Sequence, residues 1–370
     1  MNKQEARNYL QIGLYDIPFR YVAVKISFQV DPFFFSREES LWRTLSLVPK
    51  INQKHMFIQY YGSHMNENEE TSVLIIERMD GVFTTGVRTP ASLEDLPSLC
   101  VATNISIIKV AIWMGELLAQ VTQMNSLGWV HRDLKPENIL MDRGHMKISD
   151  FGFAFPGESN LKDHYSLAGT PMYFPPTLWV HPQCYPGHHI YSSGVDQAFF
   201  VSAKKTSDAF ALGLIFLQLL YPSFEAFLNL IPDPVTPIRE LVIHLQDISN
   251  FETIVPWMKA QAVANGLSPQ TEWSTDITHE YFKSQNLQMV YALQKVISKL
   301  LRIASDKTDP VIGWCGRQSK THGHDMNPFL HLKRMDPKKN KILYRYEPKK
   351  AYELWKNETG LQNHLFVGEL

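Results

Sequence analysis

The string HRDLKPENIL at residues 131–140, followed by DFG at 150–152, constrains this chain more than any other feature. It gathers the carboxylates of Asp133 and Asp150, the carboxamide of Asn138 and the amine of Lys135 into one short span. Between the motifs, ILMDRGHMKIS (139–149) leaves room for a β-ladder, so the two polar strings read as loops at its ends.

The surrounding pattern supplies a scaffold for those loops. Residues 9–30 carry the period-2 pattern of a hairpin, YLQIGLY and RYVAVKISF separated by the turn-like DIPF. Within VAVKIS, Val22, Val24 and Ile26 fall on one face and Ala23 and Lys25 on the other. A helix is predicted over SREESLWRTLSLV (36–48), with Ser36 and Glu39 as a capping box and Pro49 just past the end. Glu38 shares the inward face of that helix with Leu41, Trp42 and Leu45.

Strands are predicted at 56–62 and 72–79, and helices thereafter. SIIKVAIWMGELLAQVTQMNSLG (106–128) repeats apolar residues at helical spacing and stops at Gly128. SDAFALGLIFLQLL (207–220) is apolar nearly all round, as in a helix buried on every side. Strands first and helices afterwards predict an α+β architecture in two lobes, over 1–79 and 80–356, with a tail at 357–370. Loop-like inserts are expected near 178–206, 264–277 and 305–328.

Composition narrows the class. With 370 residues, 44% hydrophobic and 20% charged, the chain can bury a sizeable core. A formal charge of −1 offers no field for nucleic acid or an anionic membrane. Three scattered cysteines make no disulfide framework, and MNKQEARNYL lacks the apolar core of a signal peptide, so a cytoplasmic location is expected. The most apolar helix candidate is too short to span a bilayer. His181, Cys184, His188 and His189, and separately Cys315, His322, His324 and Asp325, fit no tight zinc spacing.

HRDLKPEN together with DFG resembles the eukaryotic protein kinase family, serine/threonine type. The resemblance implies a bilobal kinase fold, ATP and Mg²⁺ as cofactors and a protein substrate. It implies that Asp133 orients the substrate hydroxyl, that Lys135 neutralises the transferring phosphate, and that Asn138 and Asp150 hold metal. Lys25 of VAVK would grip the α- and β-phosphates and pair with Glu38. Ala23 and Leu140 would sandwich the adenine, Ile76 would gate the back pocket, and the backbone of Glu77 and Met79 would meet the base edge. YSLAGTPMYFPP (165–176) looks like the end of an activation segment, with Thr170 beside Asp133 and Lys135. Ser166 is then the expected phosphate site and Arg132 its partner. Asp208 matches the aspartate that supports the catalytic loop, although an acid opening a helix is also favoured by the macrodipole.

Two departures stand out. Where the family reads Ala-Pro-Glu, this chain has Pro175, Pro176 and Thr177, and the arginine expected to pair with that glutamate falls at Asn340 or, in another register, Arg345. Losing both halves of a buried ion pair strands no charge. The family's glycine loop would fall near Lys3 to Leu10, where KQEARNYL contains no glycine. Either a shortened product of a longer reading frame or weak nucleotide binding is implied, and the alternative to an active kinase is a pseudokinase acting as a binding module.

Overall fold

The computed structural model describes residues 22–28, 31–66, 71–79, 105–142, 144–156, 169–174, 197–221, 248–266, 277–301 and 348–367, with Phe224 and Leu241. The strand expected before residue 22, the segment replacing the glycine loop and the insert at 305–328 lie outside them. So do Pro175, Pro176, Thr177, Asn340, Arg345 and both His/Cys-rich stretches.

Strands β1 (Val22–Ser27), β2 (Tyr60–Asn66) and β3 (Thr71–Glu77) form an antiparallel sheet in the order β1-β3-β2. Period-2 alternation splits its side chains between two faces. Val22, Val73 and Ile75 make a small cluster on one face, whereas Leu74 joins the main core on the other. Lys25 stands opposite Leu74 in the β1–β3 register, so it faces the main core and the helix packed there.

That helix, α1, spans Pro32–Ser46, its N-cap lying five residues before the Ser36 that the capping box predicts. Asp31 is the N-cap, its carboxylate accepting from Phe33 N at 2.8 Å, and Pro32 sits at the first turn, where its missing N–H costs nothing. Ser36 is therefore inside the helix. Glu39 does not cap; it accepts from Ser63 Oγ, Tyr60 Oη and Arg43. The β2 strand also lies later than expected, because Met56, Phe57 and Ile58 are buried in the core before the strand begins.

The second lobe is built on α2 (Ile107–Ser126), capped by Ser106 Oγ accepting from Lys109 N. It ends before Gly128, whose φ of +84° suits a residue without Cβ. Two polar residues one turn apart on α2 satisfy the backbone of strand β6 (His145–Ile148). Gln120 donates to Met146 O at 2.7 Å and accepts from Ile148 N at 2.9 Å, while Glu116 accepts from Met146 N at 2.9 Å. Short strands β4 (Trp129–Val130) and β7 (Phe155–Pro156) pair antiparallel, as do β5 (Ile139–Asp142) and β6.

Helix α3 spans Gln197–Leu220, so the last ten residues of the insert expected at 178–206 are helix rather than loop. The apolar run from Ala209 is buried on all sides, as its lack of a polar face requires. Among the described residues, helices α4 (Ile254–Ala264), α5 (Ile277–Leu300) and α6 (Pro348–Thr359) add to the lobe. The boundary expected at 356 falls inside α6. Beyond that helix, Leu365 and Phe366 are buried in the main core, so this stretch of the expected tail is part of the lobe. The architecture is α+β in two lobes, a small sheet with one helix and a larger helical body.

Candidate active site

The β5–β6 ladder sets the site. Its register pairs Ile139 with Ile148, and just beyond that pair Ser149 N and Oγ both donate to Asn138 O, at 2.8 and 3.1 Å. Asn138 and Asp150 therefore leave the same end of the ladder. Fully buried His131 bridges the loops: its Nε2 lies 3.0 Å from Ser149 O, and its Nδ1 lies 3.3 Å from Asp133 N. A ring with Nε2–H donating and Nδ1 accepting satisfies both contacts.

The loop backbone is strained where it carries chemistry. Arg132 (φ +73°) and Asp150 (φ +56°) both occupy the left-handed region, at a cost of about 1–3 kcal/mol each. Asp208 compensates at the first position, accepting from His131 N at 2.8 Å and Arg132 N at 2.9 Å. It lies in the interior of α3, 1% exposed, so it is not an acid opening a helix. Burial pushes its carboxyl above the usual range, against the pull of His131 and the two N–H donors.

Asp133 is 5% exposed and is held from three sides. Asn138 Nδ2 donates to its backbone carbonyl at 2.8 Å and to Oδ2 at 3.2 Å. Thr170 Oγ1 donates to Oδ1 at 2.7 Å, and Lys135 Nζ lies 3.3 Å from Thr170 Oγ1 and 3.5 Å from Asp133 Oδ2. Gly169 brings Thr170 in: its φ is +112°, and a Cβ there would collide with Arg132 O. No other residue fits without moving that carbonyl.

Lys25 reaches into the same region from the sheet. Its Nζ lies 2.9 Å from Glu38 Oε1 and 2.6 Å from Asp150 Oδ1. Trp42 Nε1, one helical turn from Glu38, donates to the same Oε1 at 3.3 Å. Phe151 packs edge-on against Trp42 and His131, with centroids 4.6 and 5.4 Å apart, joining helix, DFG and catalytic loop. Burial alone would lower the Lys25 pKa, but Glu38 and Asp150 outweigh it and hold the ammonium above its ordinary value. Burial likewise tends to raise the Asp150 carboxyl, yet Lys25, helped by His131 and Gly152 N–H, holds it below the usual carboxylate range.

On the side expected to hold adenine, Ala23 stands opposite Ile76 in the sheet and Leu140 opposite Lys147 in the ladder, all but Lys147 half-buried. The Glu77 N–H is taken by Gln59 O at 2.7 Å, so any contact of Glu77 backbone with a base comes from its carbonyl. Its carboxylate accepts from Gln59 N and from buried Lys147, each at 3.2 Å. Met79 is buried in the main core.

Ser166 lies outside the described residues. Its expected partner Arg132 has its guanidinium carbon 5.6 Å from the Phe155 ring centroid, and Arg37 approaches the same ring at 5.3 Å. Arg37 Nη2 donates to Gly152 O at 3.3 Å, while its buried Nε has no hydrogen-bond partner among the described residues. Burial and then the neighbouring Arg37 push the Arg132 pKa down to about 10, with Asp208 opposing. Sequence reasoning missed Arg37 because it placed the helix start at Ser36. Asp31-Pro32, an N-cap followed by proline, was the available signal.

The donor set fits Mg²⁺. Asn138 spends its amide nitrogen on Asp133, which leaves its carbonyl oxygen for a cation, and Asp150 is held ionised by Lys25. Among the described residues, no group of three or more His, Cys, Asp or Glu could hold a metal ion.

The protein kinase domain family model matches residues 20–226, more than half of the chain. The chain is 28% identical over 209 residues to the cAMP-dependent protein kinase catalytic subunit PRKX of Mus musculus, covering 55% of this chain and 48% of the relative. It is 31% identical over 194 residues to serine/threonine-protein kinase PknA of Mycobacterium tuberculosis, covering 50% of this chain and 42% of that one. It thus spans less than half the length of these relatives. The yeast RNA Pol II CTD kinase CTDK-1 complex aligns with a TM-score of 0.43 and 20% identity, over 76% of this chain and 79% of the other. The family match runs from the strand bearing Lys25, through the HRD and DFG loops, past the end of α3: this chain belongs to the protein kinase family, with the family's bilobal fold, and resembles its serine/threonine kinases.

Proposed function

We propose that this protein is an active serine/threonine kinase that transfers the γ-phosphoryl group of ATP to a Ser or Thr hydroxyl of a protein. The observation that carries the reading is the Lys25 ammonium held between Glu38 and Asp150, at 2.9 and 2.6 Å. A lysine fixed there presents positive charge to phosphates, while Asp150 and Asn138 Oδ1 would hold Mg²⁺, which would supply charge neutralisation for the transferring phosphoryl group. Ala23 and Leu140 flank the base, and Glu77 and Met79 line its edge.

Asp133 positions the attacking hydroxyl and accepts its proton as the new oxygen–phosphorus bond forms and the bond to the β–γ bridging oxygen breaks, releasing ADP. Lys135 stands beside that carboxylate to balance charge on the moving phosphoryl group. Scattered cysteines favour a reducing, cytoplasmic setting for this activity.

A second reading, a pseudokinase binding module, rests on the absence of glycine between Lys3 and Leu10. Isotope transfer from labelled ATP to casein separates the two. Activity in the wild type that falls by about 10²-fold or more in Asp133→Asn and in Asp150→Asn supports the kinase. No transfer, together with no thermal shift at saturating Mg·ATP, supports the silent fold.

A further inference from the structure

We infer that Leu365 and Phe366, with Asn52 as their receiver, form a latch that positions helix α1 and therefore Glu38. From the proposed function this takes only that the Lys25–Glu38 pair serves phosphate binding.

The latch is a closed ring of contacts between segments far apart in sequence. Asn52 Nδ2 donates to Leu365 O at 2.7 Å, and Phe366 N donates to Glu116 Oε1 at 3.1 Å. His145 Nδ1 lies 2.6 Å from the same Glu116 oxygen, and Lys54 Nζ lies 2.8 Å from His145 Nε2. Lys54 and Asn52 belong to one turn, closed by reciprocal backbone bonds between Ile51 and Lys54 at 3.0 and 2.9 Å. The circuit therefore runs from the turn through Leu365, Phe366, Glu116 and His145 back to the turn. The Phe366 ring is fully buried and tilts over His145 at 6.1 Å.

The turn has little freedom of its own. Asn52 and Gln53 have φ of +48° and +65°, the two left-handed residues of a tight two-residue turn. It follows the end of α1 after only Leu47–Lys50, with Val48 and Ile51 packed on the main core. Fixing the turn fixes the C-terminal end of α1, and Glu38 rides on that helix. A shift of α1 by about 1 Å is enough to take the Glu38 contact with Lys25 beyond hydrogen-bonding distance. Leu365 and Phe366 themselves are anchored to α2 through α6, where Trp355 Nε1 donates to Ala111 O at 2.9 Å.

The test is hydrogen exchange of the full chain, read peptide by peptide. Asn52→Gly removes the carboxamide and keeps the left-handed backbone at an exposed position, so it leaves the fold intact. Asn52→Asp is nearly the same shape but sets a carboxylate against the Leu365 carbonyl. We expect both to speed exchange across 38–48 by about tenfold, with 110–121 of α2 unchanged. Phe366→Ala should act in the same direction and add little to Asn52→Gly. Lys295→Ala, which removes the ion pair to Glu358 elsewhere on α6, should leave 38–48 unchanged. An increase confined to 360–367, or an Asn52→Asp protein that exchanges like the wild type, overturns the latch. The readout needs no phosphotransfer, so a silent wild type would sink the kinase reading without touching this result.

Discussion

Thr170 donates its hydroxyl to Asp133 Oδ1 at 2.7 Å, so the carboxylate proposed to receive a substrate alcohol already receives one from the chain itself. The Thr170 hydroxyl oxygen in turn accepts from Lys135 Nζ at 3.3 Å, which makes Thr170 the link between the two groups that would act on the hydroxyl and the phosphate. Thr170→Val keeps the volume and removes both contacts. A hydrogen bond to a charged group is worth about 1.5–3 kcal/mol, or roughly 10–100-fold in rate. We expect kcat to fall by that factor in Thr170→Val, with KM for ATP little changed, and to be mostly retained in Thr170→Ser. Equal activity in the valine variant would remove Thr170 from the site.

The Lys25–Asp150 pair should impose a pH window on stability. The folded-state pKa of Asp150 is lowered, so its contribution is full above the ordinary Asp value, about 3.9, and is lost as pH falls through the folded value. That of Lys25 is raised, so its contribution is full below the ordinary lysine value, about 10.4, and is lost as pH rises through the folded value. The Tm difference between wild type and Lys25→Met should accordingly be flat from about pH 5 to 9 and shrink toward acid. Both side chains are partly exposed, so the plateau is small and should fall further with added salt. A difference that grows on acidification would contradict the pairing.

Gly115 faces the Trp355 ring so closely that a Cβ would lie inside it. An exposed helical glycine replaced by alanine gains about 1 kcal/mol of helix propensity. Here overpacking, typically about 1–3 kcal/mol, should outweigh that gain. We expect Gly115→Ala to lower stability in urea unfolding, and Gly115→Ala with Trp355→Phe to lose less than the two single changes added together. A stabilised Gly115→Ala protein would show that α6 leaves α2 easily.

Much of the site was legible because its parts are local. HRDLKPEN and DFG flank the same end of one short ladder, and strict alternation placed Lys25 on its face. What was not legible depended on contacts across the fold. Ser36 and Glu39 have the spacing of a capping box, but tertiary partners Ser63 and Tyr60 claim Glu39, and Asp31-Pro32 starts the helix instead. Residues 197–206 read as the end of a loop rich in Pro, His, Gly and Ser, yet they extend α3, which puts Asp208 in its interior beneath the HRD backbone. Phe366 could not be placed by any local rule, since its amide partner Glu116 is 250 residues away.

Arg37 and Arg132 converge on Phe155, and their mutual repulsion, after burial, holds the Arg132 pKa down to about 10. Two partly buried cations facing one ring make a place where an anion is favoured. A phosphate on Ser166 carries about −1.5 to −2 charge and would be attracted by both. We expect the phosphorylated protein to melt higher than the unphosphorylated form, because each charge-assisted hydrogen bond adds roughly 1.5–3 kcal/mol. Arg132→Ala should abolish that increment and Arg37→Ala should reduce it, while neither change should matter as much without the phosphate. Ser166→Ala and Arg132→Ala should lower phosphotransfer to a similar level, with no further loss when combined. The check is intact-mass analysis beside calorimetry and activity, and a fully active protein with no phosphate between residues 158 and 170 would rule the site out.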